Sequence, residues 1–346
     1  MLKNKAAFAV QGVRLKVKPG QNCKNRHRMR GLVTGRFISL VLAAALACGC
    51  AKQSLNPDYR GPAPLPRSIS QVFLYEKNLN GTDETVTRRT SGYDLIRLRV
   101  AREPGEAPVV ADYFKNKAPG KNSLILVLPI LGGKNTHANK FALFFTENGY
   151  SSVVVHRKKD FRDWFDFDSI DQMTLSAVTD IRRVLDWAGT RPEIDAASIG
   201  ITGISLGGMG ALFATAVDPR IKAAVIMLTG GNFPYILTHS GEKRIREKRI
   251  PYMERERLTK ERFHARMKVS VKLDPMGVAP YMDARKLLLI LAVFDRVIPS
   301  ETGRALQRKM GGPETVYLFT GHYSSGLFFS HVKRKSLGFF NRSLGS

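Results

Sequence analysis

Ser205 lies in Gly203-Ile204-Ser205-Leu206-Gly207, which fits the nucleophile-elbow pattern G-x-S-x-G. A serine hydroxyl is a poor nucleophile until a base takes its proton and a sharp turn holds its oxygen clear of the backbone. Small residues on either side let that turn form. An ordinary turn with an inert serine fits the same five letters, so the flanks decide. Before the pattern, Ala197 to Thr202 is a short apolar run rich in β-branched residues, which predicts a buried strand. After it, Gly208 to Ala216 is small, apolar and of helical length before Pro219. The order is strand, serine turn, helix. Gly207, Gly208 and Gly210 cost helix propensity. Close approach of the helix to the sheet would explain them.

A serine nucleophile needs a base and a residue that orients the base. Lys286 to Phe294 (KLLLILAVF) predicts an apolar strand after its first residue, and Asp295 follows it. A carboxylate at the C-terminal end of a buried strand lies on the ligand-binding edge of an open α/β sheet. Thr315 to Phe319 predicts another strand, and Thr320-Gly321-His322-Tyr323 places His322 in the loop beyond it. Each residue also has an ordinary use, Asp295 as a turn former and His322 as a loop histidine. Asp283 is the reserve acid, but it precedes its strand. His331 falls in a terminal helix, His264 in a basic insert and His156 just after an early strand. The candidates are therefore Ser205 as nucleophile, His322 as base and Asp295 as its orienting acid.

Acyl transfer also needs two N–H groups for the oxyanion. One is expected from Leu206. The other is expected from the loop after the strand Ser123 to Leu128, which runs Pro129-Ile130-Leu131-Gly132-Gly133-Lys134. Ile130 and Leu131 both remain candidates, and Gly132-Gly133 could equally be a simple loop. Neither a Rossmann nor a Walker phosphate-binding pattern is present.

Taken together, IGITGISLGGMG, the strand ending in Asp295-Arg296-Val297-Ile298-Pro299, and Gly321-His322 resemble the α/β-hydrolase superfamily. The nearest likeness is to its esterase-like and dienelactone-hydrolase-like members, over residues 90–340. The resemblance implies an α/β fold, a mainly parallel eight-stranded sheet flanked by helices. It implies the chain order serine, acid, histidine. It also implies hydrolysis of an ester, thioester or amide through an acyl-enzyme. Two departures stand out. Many relatives carry His-Gly where Pro129-Ile130 stands. Dienelactone hydrolases use a cysteine nucleophile, so Ser205 argues against their particular reaction.

The N-terminus reads separately. Residues 1–36 hold ten Lys or Arg and no acid, Phe37 to Ala47 is apolar, and Cys48-Gly49-Cys50 follows. This order describes a secretory signal, and the apolar run is too short to span a bilayer. Small residues ending in cysteine resemble the bacterial lipobox, with Cys50 the first choice for lipidation and Cys48 the alternative. Met29 would begin a signal of ordinary length, making residues 1–28 an upstream start artefact. The expected division is a signal region 1–50, a proline-bearing tether 51–70, and a hydrolase domain 71–346. The expected location is the bacterial cell envelope as a membrane-anchored lipoprotein, or a secreted or periplasmic soluble form.

The chain has 55 Lys and Arg against 29 Asp and Glu, a net +26. Ten of those cations lie before residue 51, leaving +16. Much of the excess falls in residues 242–272, with twelve cations and five acids. The resemblance suggests that residues 232–279 form a small basic cap. Leu258, Phe263 and Met267 give it an irregular apolar stripe, and Glu256 with Lys260 forms a candidate i,i+4 pair. The segment is either a solvated helical insert or a basic face for anionic lipid. No recognised module or stacking pattern accompanies the charge, so nucleic acid is not expected. The three cysteines, Cys23, Cys48 and Cys50, all precede the domain, and no zinc-site spacing occurs; no disulfide, metal or cofactor is expected. Asp160 to Asp168 (DFRDWFDFD) mixes acids with aromatics and lines the acyl pocket or packs at the surface. The functional expectation is a serine hydrolase acting on a small-molecule or lipid ester. A peptidase or amidase, or a non-catalytic lipid-anchored binding protein, are the alternatives.

Overall fold

The computed structural model describes residues 49–131, 135–157 and 165–345. The signal region up to Cys48, Gly132-Gly133 and residues 158–164 of the acid-aromatic loop lie outside the described residues.

Ten strands form one sheet: β1 (Cys50–Gln53), β2 (Asp83–Arg89), β3 (Tyr93–Val100), β4 (Val109–Asn116), β5 (Asn122–Leu128), β6 (Ser151–Val155), β7 (Ile194–Ile204), β8 (Ile221–Met227), β9 (Leu287–Ala292) and β10 (Glu314–Leu318). Their spatial order is β1-β10-β9-β8-β7-β5-β6-β4-β3-β2. β6, β5, β7, β8, β9 and β10 run parallel. β2, β3 and β4 continue one edge as an antiparallel meander, and β1 closes the other edge antiparallel to β10.

The central strands are mostly apolar because helices cover both faces. Every residue of β9 is buried. β5 shows the alternation directly. Leu124, Leu126 and Leu128 enter the core on one face, and Ile125 and Val127 the core on the other. The first core holds α3 (Ile170–Ala188) and α4 (Leu206–Val217). The second holds α2 (Thr136–Thr146) and the C-terminal α10 (Phe329–Leu344).

The sheet has ten strands where eight were expected. The additional pair are the two edge strands. All seven residues of β2 are exposed, so no buried face marks it in the sequence. β1 falls where a signal and tether were expected. Cys50 to Gln53 pair with Leu318 to Thr315 and satisfy an edge that β10 would otherwise leave open. The rest of the expected tether also packs on the domain. Asn56 N–H donates to Gly312 O at 2.9 Å, and Ala63 N–H to Pro280 O at 3.0 Å. Tyr59 donates to Met282 O at 3.1 Å and accepts from Ala284 N–H at 3.1 Å. A short helix, α1 (Arg67–Val72), then delivers Phe73 into the core. Proline stiffens an extended chain without preventing it from docking.

Residues 232–279 form an insertion between β8 and β9 with helices α5 (Phe233–His239), α6 (Lys243–Arg255), α7 (Lys260–Ser270) and α8 (Pro275–Val278). Its two ends are tied together, since the Asp274 carboxylate accepts the N–H groups of Asn232 and Phe233. Phe263 and Met267 of the irregular stripe are fully buried, with Phe263 packed edge-on against Phe167. Tyr252 donates to Asp168 at 2.6 Å, so the insertion docks on the end of the acid-aromatic loop. The Glu256–Lys260 pair does not form. α6 ends at Arg255 and Arg257 takes φ +52°, breaking the helix before Lys260. Glu256 instead pairs with Arg255 and Arg266 at 3.0 and 2.9 Å.

Candidate active site

Ser205 joins β7 to α4 with φ 56° and ψ −118°, a conformation that L-residues rarely adopt. Its N–H donates to Met227 O at 2.8 Å, so the turn is tied to β8. The glycines on either side have steric reasons. A Cβ on Gly203 would stand 2.3 Å from the carbonyl carbon of Gly207, and one on Gly207 would stand 2.5 Å from Leu128 O. One on Gly208 would stand 2.1 Å from the Thr229 hydroxyl. The helix does lie close against the sheet, as the glycine density suggested.

Asp295 follows β9 by three residues and is 7% exposed. Its Oδ1 accepts the N–H groups of Val297 and Ile298 at 2.8 and 2.9 Å. Its Oδ2 lies 2.7 Å from Nδ1 of His322, in the loop after β10. An ionised carboxylate only accepts, so Nδ1 carries the proton and Nε2 is left with its lone pair. His322 and Ser205 line one cavity of 620 Å³. The alternative residues Asp283 and His264 are engaged elsewhere. Asp283 is engaged with Arg285 at 2.8 Å, and His264 faces Thr238 and Pro234 O. Burial lowers the pKa of His331, with Lys335 and Arg334 adding to it.

Leu206 is the first residue of α4, where N–H groups lack intrahelical partners and the helix dipole favours negative charge. Ile130 and Leu131 line the same cavity, just past the end of β5. Both therefore stay eligible as the second oxyanion donor. Phe165 also lines the cavity, whereas Phe167 is buried beneath the insertion. The described part of the acid-aromatic loop thus serves both pocket and packing.

Four features escaped the sequence reading. Thr229, just past β8, donates to Ser205 O at 2.9 Å. His156 lines the cavity with its Nε2 2.8 Å from Asp112, which also holds Arg97 at 2.6 Å. Burial raises the Asp112 carboxyl, but His156 and Arg97 outweigh it and hold the pKa below the usual range. Arg157 lines the cavity too, and burial pushes its guanidinium down to about 10. Finally, Tyr323 beside His322 donates to Glu242 at the start of α6. Burial and that hydrogen bond push the phenol up to about 12. Thr229, His156 and Tyr323 are held by pairings between distant segments, and no local pattern announces any of the four. Among the described residues no cluster of His, Cys, Asp and Glu could hold a metal ion.

No protein-family model matches the sequence, and no curated protein matches it. Solved structures do. Acetyl xylan esterase 1 from Thermoanaerobacterium sp. JW/SL YS485 aligns with a TM-score of 0.57 at 16% identity, over 82% of this chain and 99% of that one. The acylaminoacyl peptidase of Pyrococcus horikoshii aligns with a TM-score of 0.56 at 18% identity, over 74% of this chain and 42% of that one. This is the α/β-hydrolase fold. An acetyl xylan esterase from Paenibacillus sp. R4 shares it with a TM-score of 0.55, at 17% identity and over 78% of this chain and 91% of that one. In α/β-hydrolase terms the expected eight-stranded sheet is β3 to β10, and β1 and β2 are additions at its edges.

Proposed function

We propose that this chain is a serine hydrolase that cleaves a carboxylic ester through an acyl-enzyme. The observation that carries the reading is the 2.7 Å Asp295–His322 contact in the cavity that also receives Ser205 on its strained turn. In the proposed reaction Nε2 of His322 takes the Ser205 proton as Oγ bonds to the ester carbonyl carbon. The oxyanion is held by the N–H of Leu206 and that of Ile130 or Leu131. The alcohol leaves with the proton from Nε2. Water, deprotonated by the same nitrogen, then releases the acid and restores Ser205. Asp295 fixes the ring and stabilises the imidazolium.

The cavity supports an ester with an apolar acyl or alcohol part, because Leu128, Phe141, Met209 and Phe213 line it. The two esterase neighbours are covered over nearly their whole length, whereas the peptidase neighbour has more than half its chain outside the match. This favours ester over peptide. The same reading keeps the envelope location and lipidation at Cys50, or at Cys48.

Turnover of p-nitrophenyl butyrate and labelling by a fluorophosphonate probe, each with Ser205→Ala as control, test the mechanism. Both signals should disappear in the variant. Equal turnover by a folded Ser205→Ala protein refutes the assignment.

A further inference from the structure

The loops around the cavity mouth carry a concentration of exposed large apolar side chains. Phe294, Phe319, Tyr323 and Leu327 are 63%, 48%, 70% and 86% exposed. They sit on adjoining segments of the chain. Phe294 N–H donates to Thr320 O, so the loops after β9 and β10 run side by side, and Tyr323 borders the cavity. Single exposed apolar residues are ordinary on a protein surface, but four on two adjoining loops form a patch.

Two further observations say what covers it. The first is charge. Asp295 in these loops and Glu242 at the start of α6 are buried and engaged. Exposed bases stand nearby, one of them, Lys243, 3.7 Å from the exposed Glu247. Arg296 follows Asp295. Lys243 and Arg244 open α6, which Tyr323 ties to the mouth through Glu242. Lys335 of α10 faces Cys50. The second is the path of the chain. Gly49 O accepts the N–H of Phe319 at 3.0 Å. Gly49, which stands between the lipidation candidates Cys48 and Cys50, therefore lies beside this patch. Lipid on Cys50 or Cys48 would leave from the same place.

We infer that this face docks on an anionic lipid bilayer, with Phe319, Leu327, Phe294 and Tyr323 entering the interface and the basic residues around them meeting the headgroups. Apolar insertion, basic attraction and an attached apolar or acylated segment are each weak alone and together hold a protein at a membrane. Docked this way, the mouth opens toward the bilayer. An ester entering from the lipid phase then reaches Ser205 without crossing bulk water. This last step rests on the proposed function, whereas the docking itself does not.

The test uses the full chain on vesicles of phosphatidylcholine and phosphatidylglycerol with brominated acyl chains. Leu327→Trp reports on the proposed face. Val86→Trp reports on β2, the edge strand at the other end of the sheet from β1 and β10. Quenching of the Leu327→Trp signal should exceed that of Val86→Trp by about threefold and weaken in high salt. Phe319→Ser with Leu327→Ser should weaken vesicle binding by about tenfold while turnover of a soluble ester stays unchanged. Ser205→Ala should bind vesicles like the parent, which separates failure of docking from failure of the catalytic reading. Equal quenching at both positions overturns the proposal. So does a vesicle-independent dimer that covers Leu327 and dissociates in the double serine variant.

Discussion

Thr229 holds the carbonyl of Ser205. Its hydroxyl lies 2.9 Å from Ser205 O and 3.1 Å from Met227 O, and it occupies the space that a side chain on Gly208 would need. The turn at Ser205 departs from ordinary backbone geometry, so something outside it must keep it there. Thr229 does this from the end of β8, while the Ser205 N–H is held by Met227. Thr229→Val keeps the shape and removes the hydroxyl. It should lower kcat by about tenfold, through misplacement of the nucleophile, with little change in KM. Thr229→Ser should restore most of the rate. Equal kcat for the valine variant would show that the turn needs no such support.

Asp295 presents two oxygens with different obligations. Oδ1 must accept from Val297 and Ile298, so in Asp295→Asn the carbonyl stays there and the amide NH₂ faces His322. The histidine must then accept at Nδ1 and carry its proton on Nε2, which is the wrong tautomer for a base. A loss in kcat of about 10⁴-fold is expected, with a fold and melting temperature close to the parent's. A loss below tenfold would mean that His322 does not act as the base.

Gly207 makes the contact between the serine turn and the loop that carries Ile130. A methyl group there would press on Leu128 O and Pro129 O at 2.5 and 2.7 Å. Both are backbone atoms and cannot rotate away. Gly207→Ala should destabilise by about 2–3 kcal/mol and depress kcat, because the loop that moves is an oxyanion candidate. Gly277→Ala, where nothing lies within 4 Å of the added carbon, is the matched control. Parallel melting curves for the two variants would contradict the steric account.

The contrast between these residues shows what was legible in the sequence. Ser205, Asp295 and His322 each follow a strand rich in apolar and β-branched residues, because helices cover both faces of the parallel sheet. Their proximity follows from strand order, since β7 and β9 flank β8. Thr229 has no such signature, because its partner is 24 residues away. β2 was invisible for the opposite reason: with every residue exposed, it has no burial period. β1 and Tyr59 pack on the domain, which composition does not show because it records proline and polarity but not docking. The Glu256–Lys260 pair failed because spacing of four means neighbours only within one continuous helix.

Asp218 makes a stability prediction with a defined pH dependence. It follows α4 and is 2% exposed, with Arg182 Nε at 3.0 Å and Arg220 Nε and Nη2 at 2.8 and 2.7 Å. Burial raises its carboxyl, but the Arg220 and Arg182 hydrogen bonds and the Arg220 charge outweigh it and hold the folded pKa below the ordinary value. The folded state therefore binds fewer protons than the unfolded state between those two values, and stability rises with pH there. The contribution is fully present above the unfolded value of about 3.9 and is lost as pH falls through the folded one. Asp218→Asn should cost about 2–3 kcal/mol near neutral pH, allowing for the partial exposure of both arginines. The gap between parent and variant in urea unfolding should narrow progressively below about pH 4. The comparison cancels the general acid sensitivity of the other carboxylates, including Asp112, because both proteins share them. A gap that stays constant from neutral pH down to about pH 2.5 would show that the Asp218 charge contributes nothing to folding.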